Sequence, residues 1–286
     1  MSKPAIIQAA RQSFHKKLLD HLITVDKGIP SIADKKNGAS IRISQALIEQ
    51  LGSMVNATKL AAQTAGNAFE EICAEFIEST FLNLQHIRPG EWHVIRINQG
   101  DRSGIARYEQ YAHLSAIADA CKGNTQLATT LGTDYLICPD IVVIREPASD
   151  AVINYSAILV DETVALHTGL RAFNGGLPLI HASISCKLTL RSDRAQNARS
   201  EALNLIRNRK GRAPHIAVVT AEPLPSRLSS LALGTGDIDC VYHFALAELQ
   251  RAVEAEGNED SHESLRIMVE GKRLRDIADL PLDLAV

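Results

Sequence analysis

The sequence predicts an α/β domain. Short apolar, β-branched runs at 92–97, 140–145, 215–220 and 239–245 are too brief for helices and carry the residue types of strands. Between them, apolar residues recur at three- and four-residue spacing around 69–84, 195–206 and 246–255, as amphipathic helices require. Strands that alternate with helices, rather than being segregated from them, are the α/β pattern. With 286 residues and 45% apolar composition the chain can bury a large core. At 22% charged residues, with no apolar run long enough to span a bilayer, a membrane protein is excluded. The five cysteines are odd in number, scattered and without a CxxC, which argues against a disulfide framework or a structural zinc. The amino terminus has no apolar stretch followed by a small-residue cleavage site, so a cytoplasmic location is expected.

Taken in order, residues 1–60 read as a helix, a polar loop from Asp26 to Ser40 that holds Asp34, and a second helix around Ile43 to Leu51. They are a possible helical appendage on one domain spanning 1–286. The segment from Gln63 opens a strong helix with Phe69, Ile72, Cys73, Phe76 and Ile77 on one side and Glu71, Glu75 and Glu78 opposite. Glu70 falls on the flank of the apolar stripe, either as a boundary residue reaching water or as a carboxylate that something needs. Pro89-Gly90 ends that helix, a strand follows at 92–97, and 105–131 reads as helical with a break at Lys122-Gly123-Asn124. Asp140 stands at the mouth of the next strand, a place where aspartate is commonly a turn or cap residue. Residues 146–179 are irregular, and after the strand at 215–220 a loop, AEPLPSRLSS, displays Arg227. A strand at 239–245, a helix at 246–255 and a short mixed tail complete the chain.

The stretch 181–212 organises the rest. Its first half alternates as a half-buried strand, with Ala182, Ile184, Cys186, Leu188 and Leu190 toward a core and Ser183, Ser185, Lys187 and Thr189 on the other face. Its second half is a helix that Ser192 or Asp193 can cap. Eight Lys and Arg against Asp193 and Glu201 leave a local excess of six positive charges in a chain of net charge −3. A basic island on an otherwise acidic protein points to a localised polyanion site, although such a run is also an ordinary solvated helix face.

An aspartate opening one strand and a lysine in a later strand form the PD…(D/E)xK pattern of magnesium-dependent nucleases. Phosphodiester hydrolysis needs oxygen ligands to hold a hard cation against the phosphate, and a positive group to position water and offset developing charge. Pro139-Asp140 and Ser185-Cys186-Lys187 fit, with Ser185 in place of the usual strand carboxylate.

The whole chain resembles the type II restriction endonucleases that cut around a CCGG core. The likeness runs through Phe14-His-Lys-Lys-Leu-Leu, Thr64-Ala-Gly-Asn-Ala-Phe-Glu, 181–212, Ala232-Leu-Gly-Thr-Gly and the final Asp279-Leu-Pro-Leu-Asp-Leu-Ala-Val. This resemblance implies a restriction-endonuclease-like core with a mixed central sheet flanked by helices. It implies that Glu201 replaces the missing strand acid, that Asp140, Glu201 and the main-chain oxygen of Cys186 hold Mg²⁺, that Glu70 supports the site, and that Lys187 positions the attacking water. Arg191, Asp193 and Arg194 are assigned to reading the G·C core, which agrees with Arg donating twice to guanine and Asp accepting from cytosine in the major groove. Arg227 falls to the outer G·C pair and Gln63 to the minor groove. Asp34 joins Arg227 by analogy, although Lys35-Lys36 follow it where small residues are expected. The implied activity is cleavage of double-stranded DNA at GCCGGC with 5′ CCGG ends. The implied assembly is a homotetramer, a dimer of dimers on two DNA copies, with a cognate methyltransferase protecting the host. Two other classes share the fold: a DNA-binding regulator with an inactive nuclease core, and a metal-dependent hydrolase of small phosphate esters.

Overall fold

The computed structural model describes residues 4–52, 62–97, 104–131, 138–234 and 236–286. The chain runs α1 (Ile6–His21), a hairpin of β1 (Val25–Asp26) and β2 (Ile29–Pro30), α2 (Gly38–Leu51), α3 (Ala62–Phe81) and β3 (Trp92–Arg96). It continues through α4 (His113–Cys121), α5 (Thr125–Leu131), β4 (Ile141–Arg145), α6 (Asp150–Ile153), β5 (Leu179–Lys187), α7 (Ser192–Asn208) and β6 (His215–Thr220). The last part holds α8 (Pro225–Ala232), β7 (Cys240–His243), α9 (Leu246–Glu256), α10 (Glu259–Glu270), β8 (Leu274–Asp276) and α11 (Leu280–Asp283).

Among the described residues the main sheet has six strands in the order β3-β4-β5-β6-β7-β8. The first two pairings are antiparallel and the other three parallel, so the sheet is mixed and flanked by helices, as expected. Strand β5 sits inside it, between an antiparallel and a parallel neighbour. That position corrects the half-buried strand expected from the alternation. Ser183 and Ser185 are buried along with Ala182, Ile184 and Cys186, because an interior strand of a sheet flanked by helices is covered on both faces.

Residues 1–60, where described, share the core instead of standing apart. Phe14, Leu18 and Leu19 of α1 and Ile43 and Leu47 of α2 belong to the same apolar cluster as the sheet. At ~1.5–3 kcal/mol per buried side chain, detaching these five alone would cost roughly 8–15 kcal/mol, comparable with the whole stability of a typical domain. Arg11 adds a link by donating to Asp276 and Glu248. Buried His15, its charge disfavoured by burial, bonds through Nε2 to the Phe244 carbonyl.

Three further expectations are corrected. The segment holding Arg227 is helix α8 rather than a loop, because Pro225 is compatible with the first helical turn and Leu228, Leu231 and Ala232 make an apolar stripe. The tail is not short and mixed: α10 packs on α8 and α9, and β8 extends the sheet beside β7. The stretch 105–131 is broken into 3₁₀ turns, α4 and α5, partly because Gln110 leaves helical pairing and exchanges two side-chain hydrogen bonds with the Ile180 backbone.

Candidate active site

Asp140 immediately precedes β4. One step beyond the pairing of Ile141 with Ile184, it stands opposite Ser185 at the end of β5. Its Oδ2 accepts hydrogen bonds from the Cys186 backbone N–H at 2.7 Å, Lys187 Nζ at 2.8 Å and Ser185 Oγ at 3.3 Å. Asp140 is 2% exposed, so one carboxylate oxygen gathers three donors away from water. Burial disfavours the Lys187 charge, but the charges of Asp140 and Glu201 outweigh it and hold the ammonium above its ordinary range. The Cys186 thiol is buried against Cys73, which leaves the backbone of Cys186 as the part that can serve this site.

Two more carboxylates face the same point. Glu201 projects from α7 and is pushed up to about 8, first by burial and then by the charge of Asp140; Lys187 and a Ser185 hydrogen bond oppose the shift. Glu70, 6% exposed on α3, is pushed up to about 6 by burial and by Asp140, against Arg96 and Lys187. Arg96 lies 3.8 Å from Glu70 and 3.7 Å from Glu71. Three carboxylates thus share the site with two cations, and two of the three are pushed toward their protonated form, a loss of charge that a bound divalent cation would reverse. Among the described residues no three His, Cys, Asp or Glu side chains converge closely enough to ligate a metal unaided.

The cleft beside this cluster has a volume of about 480 Å³ and is walled by Gly66 and Glu70 of α3, Lys187, and Arg191, Arg194 and Asn197 of the α7 end. Arg191 occupies the N-cap of α7 and no side chain caps the helix there, so the expected Asp193 cap is not formed; Asp193 is exposed in the first turn, where its charge suits the helix dipole. The side chain of Ser192 lies outside the described residues. Arg194 donates to Thr189 Oγ1 at 3.0 Å. Arg227 of α8 forms an ion pair with Asp34, joining residues 193 apart in sequence. Asp34 is held below the usual carboxylate range by the Lys36 backbone N–H, then by Arg227 and the charge of Arg191. Gln63 lies exposed in the first turn of α3, one turn before Gly66.

A family model described as NgoMIV restriction enzyme matches residues 14–286. The chain belongs to the NgoMIV restriction enzyme family. It is 58% identical over 278 residues to the type II restriction enzyme NgoMIV of Neisseria gonorrhoeae, covering 96% of this chain and 97% of that enzyme. Family membership makes it a restriction endonuclease with the restriction-endonuclease-like fold, the class that its motifs resembled.

Within this member of the NgoMIV family the structure brings together Glu70, Asp140, Ser185, Lys187 and Glu201, from α3, the start of β4, β5 and α7. It brings Asp34 to Arg227, and Arg191 and Arg194 to the cleft. It divides the basic island: Arg199 donates to the Ser230 carbonyl, while Lys210 is tied through its backbone to Gln110. Sequence reasoning missed Arg96, Asn197 and Glu222. The last follows a parallel strand at its carboxyl end, where sites in α/β sheets gather, and that placement was the available signal.

Proposed function

We propose that this enzyme cleaves double-stranded DNA at GCCGGC by Mg²⁺-dependent phosphodiester hydrolysis, leaving 5′ CCGG ends. One observation carries the proposal: a cluster of three carboxylates, two of them pushed toward protonation in the absence of a further cation, opens into the same cleft as Arg191 and Arg194. Asp140, Glu201 and the Cys186 main-chain oxygen would hold Mg²⁺, which when bound neutralises phosphate charge and lowers the pKa of coordinated water. Lys187, fixed by Asp140 on a rigid strand, orients the attacking water and offsets charge on the phosphate oxygens. Glu201 must release the proton it holds at neutral pH before it can act as a ligand. Ser185 keeps its hydroxyl between Asp140 and Glu201, in the place where a strand carboxylate would stand.

Arg191, Asp193 and Arg194 read the G·C core in the major groove, Arg227 and Asp34 the outer pair, and Gln63 the minor groove. Enclosing DNA calls for a dimer, and the excursion 146–177 supports pairing of two dimers on two DNA copies. There Tyr155 and Ile158 are 91% and 87% exposed, with Val152, Leu159 and Phe173 nearby in sequence and also exposed. Exposed apolar residues concentrated in one segment mark an interaction surface. The host needs a methyltransferase acting on the same site.

The test is incubation of plasmid with the protein in Mg²⁺ or EDTA, followed by sequencing of the ends. Cutting at GCCGGC with Mg²⁺ alone supports the proposal. Undiminished cutting in EDTA, specific binding without cutting, or attack on small phosphate esters alone would each replace it.

A further inference from the structure

Glu222 is a fully buried carboxylate that the hydrolysis does not use. It follows β6, and its backbone N–H donates to Thr220 Oγ1 at 3.2 Å, which fixes the turn. Its two oxygens face different parts of the molecule. Oε1 accepts from the Leu224 N–H at 3.2 Å, at the N-cap of α8. Oε2 accepts from the Leu190 N–H at 2.7 Å, one residue before Arg191, and lies 3.7 Å from Arg227 Nη1. Capping α8 needs only one of these oxygens. The second joins the backbone just before Arg191 of the cleft to the guanidinium of Arg227 on α8, and an ionisable group is seldom buried so completely unless its bonds require it. Burial pushes Glu222 up to about 6, while the Leu190 and Leu224 N–H groups and Arg227 favour its charged form.

We propose that Glu222 is a positioning residue for sequence reading: its carboxylate ties the connection between β5 and α7, which leads into Arg191, to the helix that carries Arg227, fixing the spacing at which the arginines meet the DNA. This rests on the assignment of Arg227 to the outer base pair. A glutamine at this position has one oxygen and one amide group. Its NH₂ must therefore face either the Leu224 N–H or the Leu190 N–H and the Arg227 guanidinium, setting donor against donor and releasing one segment.

The experiment measures kcat/KM on GCCGGC and on ACCGGT for the wild type, Glu222→Gln and Arg227→Ala. Positioning predicts that Glu222→Gln lowers the ratio between the two sites about tenfold or more, in the direction of Arg227→Ala. A purely structural residue would slow cutting of both sites equally, and an unchanged ratio overturns the proposal. An unchanged ratio in Arg227→Ala removes the base-reading assignment and the proposal with it. A collapsed ratio in Arg227→Ala alone overturns only the role of Glu222. Should circular dichroism show Glu222→Gln to be unfolded, Glu222→Asp decides. It keeps the charge but is one methylene short of spanning both segments, so its ratio should fall severalfold, and a wild-type ratio overturns the proposal.

Discussion

Two aspartates bracket β4, and the difference between them separates structure from chemistry. Asp150, beyond the strand, receives Arg171 Nε at 2.7 Å and Nη2 at 2.6 Å, while Nη1 donates to the Val164 carbonyl at 2.7 Å. The guanidinium also lies 4.8 Å from the centre of the Phe173 ring. The charges balance and the forked donors are used, so the pair closes the base of the excursion. Asp140, before the strand, also has a cation, but Glu201 and Glu70 beside it are pushed up to about 8 and about 6, first by burial and then by its charge. A balanced pair is finished when the chain folds; an unbalanced cluster is finished only by something added.

The largest effect expected from breaking this contrast is at Lys187. Lys187→Ala should lower cleavage by about 10²–10³-fold or more while specific binding persists, since the lysine stabilises charge that grows only during reaction. Single-turnover rates and gel-shift affinities on one duplex measure both, and parallel loss of binding would make Lys187 a DNA contact instead. Next comes base reading: Arg194→Ala should cost about 1–3 kcal/mol in discrimination for the CCGG core, and normal cutting of CCGG sites would reject its role.

On the balanced side, Arg171→Ala should loosen the excursion without touching the chemistry, and Ile158→Asp should place a charge on its exposed face. On the proposed pairing of two dimers, both should shift the protein from tetramer to dimer on sizing and remove any advantage of two-site over one-site plasmids. A tetramer that survives Ile158→Asp would place the contact elsewhere.

The smallest effect is on stability. Glu201 has its pKa raised from 4.5 to about 8, so the folded state holds a proton that the unfolded state releases. Its contribution is fully present below pH 4.5 and is lost as pH rises toward 8. Buried His181 and His243, lowered to about 4, act oppositely, but only up to their ordinary 6.5. In EDTA, Tm should therefore fall from pH 6.5 to 8, and Glu201→Gln should flatten that fall. Identical profiles would show that Glu201 is not strained by its neighbours.

Much of this was legible in the residues. Short β-branched runs marked β3 and β6, while a helical repeat of 3.6 marked α3 and the flanking place of Glu70, because a helix with one buried face repeats its apolar residues at that spacing. Helix α8 was hidden by two prolines and three serines, whose turn propensity is outweighed by Leu228 and Leu231 packing into the core. The Asp34–Arg227 pair joins positions that no local pattern relates, and Glu222, in a segment read as loop, gains its meaning only because the fold brings Leu190 to it. Local sequence encodes which face is buried; it does not encode which distant segment arrives.

The unbalanced cluster can be tested by moving its charge. Ser185 touches Asp140 and lies within hydrogen-bonding reach of Glu201, so a carboxylate from the strand should enter the same space as the one from α7. The single-turnover cleavage rate in Mg²⁺ is measured for the wild type, Glu201→Ser, Ser185→Glu and the double variant. Glu201→Ser should be severely impaired, and the double variant should recover part of the rate, short of full rescue because catalytic geometry tolerates only about half an ångström of error. A double variant no faster than Glu201→Ser would show that the two positions do not serve one site.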